Sequence, residues 1–252
     1  MEYFFKTENL TVGYDGKPIV NNIDVSIKKG QILSLIGPNG SGKSTILKSI
    51  TKQLKVIDGV VFLSGSPIND INSRDMARRA AVVLTERPKP ELMTCGDVVA
   101  IGRYPYTGML GILSASDKEK INEALCLVNA LDLKDRCFSE VSDGQLQRIM
   151  LARAICQEPE IIILDEPVSF LDIRYAVEIL DILRRMASER GVTVIMSLHE
   201  LNYAKRVSDR VMCVKDGYML HLDTPEAVFT KEIISRLYDL SDGVYAELFG
   251  GL

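Results

Sequence analysis

The stretch LIGPNGSGKST, residues 35–45, decides how the rest of this sequence is read. Gly37, Gly42, Lys43 and Ser44 satisfy the spacing G-x-x-x-x-G-K-[ST]. The apolar run QILSLIG (31–37) precedes it and a helix-like pattern, expected over Lys43–Leu54, follows. Strand, loop and helix in that order are the context in which this motif cradles phosphate. Glycines let the backbone adopt positive φ, so that successive N–H groups point inward. The candidate nucleotide site is therefore Gly37, Pro38, Asn39, Gly40, Ser41, Gly42, Lys43, Ser44 and Thr45. Lys43 places a positive charge opposite the β- and γ-phosphates of ATP, Ser44 offers a hydroxyl to Mg²⁺, and Thr45 adds a phosphate contact.

Working outward, the chain alternates between two periods. YFFKTENLTV (3–12), NNIDVSIKKG (21–30), QILSLIG and GVVFLSG (59–65) show period-two patterning and predict an antiparallel β layer near the N-terminus. AAVVLT (80–85), EIIILDE (160–166), VTVIMSL (192–198) and RVMCVKDG (210–217) are short apolar runs between polar residues, the pattern of buried parallel strands. A long amphipathic helix is expected over Tyr175–Arg190, and residues 86–157 hold no convincing strand and read as a helical insertion. The class is α/β: a parallel core sheet, an antiparallel patch and a helical subdomain within one domain spanning 1–252.

Composition narrows the function. Of 252 residues, 46% are hydrophobic and 25% charged, as in an ordinary globular protein, and a net charge of −4 makes no case for nucleic-acid binding. The 5 cysteines have neither C-x-x-C nor zinc-type spacing and fit a reducing compartment. MEYFFKTENL (1–10) has no secretory pattern, and no apolar run approaches the roughly 18–20 residues of a membrane span. The expected location is cytosolic, or docked on a membrane through another subunit.

EIIILDEP (160–167) places Asp165 and Glu166 at the C-terminal end of a buried strand, where α/β sheets carry their ligand sites. Asp165 is expected to hold Mg²⁺ and Glu166 to orient or deprotonate the attacking water. A second candidate anion site lies in SEVSDGQLQR (139–148), where a short polar turn runs into a helix expected over Leu146–Gln157.

With these residues in place, the chain resembles the ATP-binding cassette (ABC) ATPases along nearly all of its length. VSDGQ (141–145) matches the family's Leu-Ser-Gly-Gly-Gln signature, with Val141 and Asp143 as departures. SFLD, ending at Asp172, looks like the D-loop; MSLHEL (196–201) carries His199 as the switch histidine, reaching the γ-phosphate; Tyr14 in VGYDG looks like the aromatic platform for adenine. The resemblance implies a P-loop NTPase fold with a RecA-like parallel core, an N-terminal antiparallel β subdomain and a helical subdomain near 86–157. It also implies a head-to-tail dimer of two copies of this chain sandwiching ATP. There Ser142, Gly144 and Gln145 of one copy meet nucleotide on the other, with Asp143 bonding its own helix's first N–H groups or facing water.

One departure stands out. The family has a glutamine at the entry to the helical subdomain; counting along AAVVLTERPKPE (80–91) places Thr85 there, with Glu86 next. Thr85 is taken as the contact to Mg²⁺ and water, and Glu86 as facing outward or toward a membrane partner.

DVVAIGRYPYTG (97–108) and DTPEAVFT (223–230) resemble the importers of ferric siderophores, haem and cobalamin. This implies an ATP-hydrolysing subunit on the inner face of the membrane, held by transmembrane permease subunits and served indirectly by a substrate-binding protein. The alternatives are an ABC ATPase outside transport and a P-loop kinase; the kinase reading accounts for neither VSDGQ nor His199.

Overall fold

Strands buried on both faces need unbroken apolar runs, and Ile32–Ile36, Ile161–Leu164 and Thr193–Ser197 are each buried at every position. They anchor the computed structural model, which describes residues 3–84, 90–108, 111–169, 171–241 and 243–244. The chain divides into two compact units, Met1–Asp70 with Ile195–Leu252, and Ile71–Val194.

The first unit opens with β1 (Phe5–Tyr14) and β2 (Lys17–Ile23), then β3 (Ser26–Ile27), β4 (Ile32–Ile36), α1 (Lys43–Ile50), β5 (Asp58–Leu63) and β6 (Ser66–Pro67). Tyr14 pairs with Lys17 across two residues, Asp15 and Gly16, both at positive φ, so the β1–β2 connection has the backbone sense that matches strand twist. β5 pairs antiparallel with β1, Phe5 opposite Leu63.

The second unit contains α2 (Ser73–Arg79), β7 (Ala80–Val83), α3 (Cys95–Ala100), α4 (Ala115–Leu127), α5 (Asp143–Cys156), β8 (Ile161–Leu164) and α6 (Ile173–Arg190). β9 (Thr193–Ser197) leads back into the first unit, which ends with α7 (Leu201–Val207), β10 (Arg210–Lys215), β11 (Tyr218–Asp223), α8 (Pro225–Val228) and α9 (Lys231–Tyr238). Strand order in the first unit is β6-β5-β1-β2-β11-β10-β4. β4 and β10 run parallel with Arg210 opposite Leu33 and Cys213 opposite Ile36. In the second unit β7 and β8 run parallel, Ala80 opposite Ile161 and Val83 opposite Leu164.

Three expected helices have different limits, α6 starting at Ile173 rather than Tyr175 because Asp172 caps it. α1 stops at Ile50 rather than Leu54, because the Thr51 hydroxyl donates back to the carbonyls of Leu47 and Lys48 and Lys52 turns to positive φ. α5 starts at Asp143 rather than Leu146 because Ser142 caps it.

Three helices of the second unit begin the same way. Thr94, Ser114 and Ser142 are N-caps whose hydroxyls accept from the N3 backbone, while Asp97, Asp117 and Gln145 reach back to the cap's own N–H. Among the described residues from 90 to 157 there is no strand, only an isolated bridge between Thr94 and Cys137.

Arg103 ties these helices together. It is 6% exposed, and its Nε donates to Asp117 Oδ1 at 2.9 Å. Its Nη1 reaches the Cys156 carbonyl at 2.8 Å and Glu158 Oε2 at 2.9 Å, and its guanidinium lies 4.1 Å from the centroid of the Tyr106 ring. Bonds from the Ser114 hydroxyl, then from the Ser114 N–H and Arg103, pull the Asp117 carboxyl down from 3.8 to about 2.

Replacing Arg103 by Met leaves two carboxylates facing a site built for a cation, so Arg103→Met should lose about 3–5 kcal/mol of stability, read as a lower urea midpoint. Asp117 is more acidic folded than unfolded, so its contribution is present above pH ~4 and fades as pH falls towards ~2. The gap in midpoint between the native protein and Asp117→Asn should therefore narrow below pH 4; a gap constant from pH 7 to 3 would contradict this account.

Candidate functional site

The loop after β4 is shaped by neighbours that leave no space for side chains. Gly37 has φ 150°, and a Cβ there would lie 2.1 Å from the carbonyl oxygen of Val214 in β10. Gly42 has φ 101°, with its Cβ position 2.3 Å from Val20 Cγ2. Gly40, also at positive φ, faces open space. The loop closes on itself through Ser41 N–H donating to the Pro38 carbonyl at 3.2 Å.

Inside it lies a buried cation. Lys43 is 5% exposed and its Nζ donates to the carbonyls of Gly37 at 2.8 Å and Pro38 at 3.0 Å. Ser41 Oγ is buried with no hydrogen-bond partner, a polar group that costs free energy until something bonds it. Gly42 caps α1 without a side chain, so the helix's positive end faces the loop. Thr45 is buried and Ser44 half-buried. A glycine cradle, an orphaned hydroxyl, an ammonium and a helix N-terminus together suit the phosphates of a nucleotide.

The first unit also holds Tyr14, 42% exposed at the end of β1, and His199, half-buried between β9 and α7. The second unit holds the two carboxylates after β8. Asp165 is buried, and its N–H donates to the Val83 carbonyl at 2.9 Å. Glu166 stands at φ 52°, a conformation that L-residues seldom adopt outside sites that require it. Ser169 Oγ donates to Glu166 Oε2 at 3.1 Å, orienting the carboxylate.

The same unit carries the second candidate anion site. Ser142 Oγ accepts from the Gln145 N–H at 3.4 Å, and Gln145 Oε1 accepts from the Ser142 N–H at 3.0 Å. A hydroxyl that accepts still has a hydrogen to donate. Asp143 is an exposed first-turn residue, and the cap is Ser142. Gly144 packs against a tyrosine: its Cβ position lies 3.1 Å from the Tyr175 ring. The Tyr175 N–H donates to Asp172 Oδ1 at 3.1 Å, so Asp172 caps α6 and positions the residue beneath Gly144. Ser169 and Tyr175 were not among the expected site residues; the Asp172-x-x-Tyr175 capping interval was the available signal. Thr85 and Glu86 lie outside the described residues.

Among the described residues no group of three or more His, Cys, Asp or Glu is arranged to hold a metal ion, and no helix is long and apolar enough to cross a membrane.

Comparison with known proteins gives the same picture. A family model described as ABC transporter matches residues 20–169. An uncharacterized ABC transporter ATP-binding protein of Methanocaldococcus jannaschii is 46% identical, over 97% of this chain and 84% of its own length. The iron(3+)-hydroxamate import ATP-binding protein of Bacillus subtilis is 35% identical, over 93% of this chain and 87% of its own. A solved ABC transporter described as of metal-chelate type, in an inward-facing conformation, superposes with TM-score 0.83 at 25% identity, covering 94% of this chain and 90% of that one. A dimeric cassette in a post-hydrolysis state with ADP and Pi superposes with TM-score 0.77 at 26% identity, covering 88% of this chain and 98% of that one. The family model spans more than half of the sequence and the relatives nearly all of it, so this chain belongs to the ABC transporter family as one of its ATP-binding, ATP-hydrolysing cassettes.

Proposed function

We propose that this cassette is the ATPase subunit of an importer of ferric siderophores or a related iron chelate, haem and cobalamin being the nearest variants. The observation that carries the ATPase reading is the loop itself, in which Lys43, the orphaned Ser41 Oγ and two glycines without space for a Cβ converge. The import reading is supported by the iron-hydroxamate relative, similar over 93% of this chain.

In this reading Gly37–Thr45 holds the phosphates, with Lys43 turning from the loop carbonyls to the β- and γ-phosphates, and Tyr14 stacks on adenine. Ser44 and Asp165 fit Mg²⁺, which needs only one or two protein oxygens when phosphates supply others; Thr85 is the further contact expected. When bound, the ion neutralises charge developing on the phosphate oxygens. Glu166, held by Ser169, orients the attacking water and takes its proton, and His199 contacts the γ-phosphate.

Two copies act head to tail: Ser142, Gly144 and Gln145 of one close over the nucleotide on the other, with Asp172 beside them. Permease subunits hold the cassette at the inner face of the membrane and receive the chelate from a substrate-binding protein. Their docking surface is the stretch from residue 86 to 110, among whose described residues Leu92 and Tyr104 are exposed. Beside it lies a hollow of about 450 Å³ lined by Met93, Val98, Ile101, Phe138, Met150 and Arg153. Co-purification with two membrane subunits tests this assignment, and its failure would remove the transport role.

Lys43→Ala removes the charge opposing the phosphates and should weaken ATP binding at least about 100-fold in a nucleotide titration. Glu166→Gln keeps the shape but cannot take a proton; ATP should still bind while kcat falls about 10²–10⁴-fold and an ATP-held dimer accumulates on size exclusion. Ser142→Arg should leave ATP binding by the single chain unchanged and abolish ATP-dependent dimerisation and turnover. Normal hydrolysis by Ser142→Arg would reduce that turn to a helix cap.

A further inference from the structure

The turn at the start of α5 holds a glycine that its backbone does not ask for. Gly144 lies in the first turn of the helix and is not among the glycines at positive φ. What excludes a side chain there is space: three ring atoms of Tyr175 lie 3.1, 3.3 and 3.5 Å from its Cβ position. Tyr175 belongs to α6, and both helices lie within the unit Ile71–Val194.

For the ring to act as a fixed point, it must itself be held. Arg148, one helical turn after Gly144 and so on the same face of α5, sets its guanidinium 5.4 Å from the ring centroid. Arg148 is tethered in turn, because its Nη1 donates to the Asn129 carbonyl at 2.7 Å. The backbone of Tyr175 is fixed by the cap of α6. Its N–H donates to Asp172 Oδ1 at 3.1 Å, and the Ala176 N–H donates to the Asp172 carbonyl at 3.0 Å. The tyrosine hydroxyl has no hydrogen-bond partner among the described residues, so the contact belongs to the ring.

The ring therefore stops the turn Ser142–Gln145 from settling toward α6. The Ser142 hydroxyl and the Gly144 N–H stand at a height that the ring sets.

We propose that Tyr175 is a positioning residue for this turn: its ring fixes where Gly144 stands, and so aims the Ser142 hydroxyl and the Gly144 N–H at the nucleotide of a second copy of this chain. This rests on the reading that the turn closes over the partner's ATP. Tyr175 acts through Gly144 and touches no reacting atom.

Tyr175→Ala removes the ring. In the Glu166→Gln background, where ATP holds the dimer, the dimer Kd should rise about three- to tenfold, because the donors remain but must be ordered on closing. A non-hydrolysable ATP analogue should bind the single chain, at protein concentrations too low for dimer, within about twofold of the native Kd. Tyr175→Phe keeps the ring and should restore the dimer. Gly144→Ala keeps the N–H and adds only the methyl that meets the ring. It should weaken the dimer when Tyr175 is present and cost much less beside Tyr175→Ala, a non-additive pair. An unchanged dimer Kd in Tyr175→Ala would overturn the proposal, whatever the melting temperature does. So would additivity of the two substitutions. A fall in analogue binding by the single chain as large as the fall in dimerisation would mark a purely structural residue, and also overturn it. Ser142→Arg in the same background separates the two ideas. If it still dimerises with ATP, the turn is not the partner's site, and the reading fails together with the proposal. If it loses the dimer while Tyr175→Ala keeps it, only the positioning role fails.

Discussion

A loop that wraps an anion with its own backbone needs N–H groups pointing inward from several consecutive residues, and L-residues with a Cβ do not supply that geometry. In this protein the requirement falls on Gly37 and Gly42, where positive φ coincides with neighbours too close for any side chain. The rest of the first unit satisfies that constraint. β4 is buried at every position and delivers the chain to Gly37, β10 sets its Val214 carbonyl against the turn, and β2 sets Val20 against Gly42. Without those walls the loop would be a flexible glycine turn; with them it has one shape.

How much of this could be read from residues alone depended on whether the cause was local. The runs containing Ile161–Leu164, Thr193–Ser197 and Arg210–Lys215 were legible as core strands because burial on both faces leaves an unbroken apolar signature, whereas Ile32–Ile36, read as part of the antiparallel layer because Ser34 breaks its apolar run, is a buried strand parallel to β10. The C-terminal limit of α1 was not, since apolar residues continue to Ile57 and the stop comes from a threonine hydroxyl bonding back to carbonyls. The start of α5 was missed by three residues although its cue was present: Ser142 and Gln145 stand at capping-box spacing, but the capping bonds were looked for at Asp143, read as bonding the first N–H groups or facing water.

The candidate site divides in the same way. The order of phosphate loop, signature turn, carboxylates and histidine was readable because each motif is short and contiguous. Ser169 and Tyr175 were not, since their value lies in what they touch: a carboxylate oxygen in one case and the face of Gly144 in the other. Contacts made across the chain belong to packing, and packing is what a linear reading sees least.

The signature turn has a consequence for kinetics. Ser142 and Gln145 each bond the other's backbone N–H, and Gly144 rests on the Tyr175 ring, so the turn holds its shape by contacts within its own unit. On the proposed reading, an anion arriving there would meet donors already oriented, with little conformational entropy left to lose at the encounter. Association of this surface with a charged ligand on another molecule should then be governed by diffusion and long-range electrostatics, with no slow folding step, and its rate should respond to ionic strength more than to temperature.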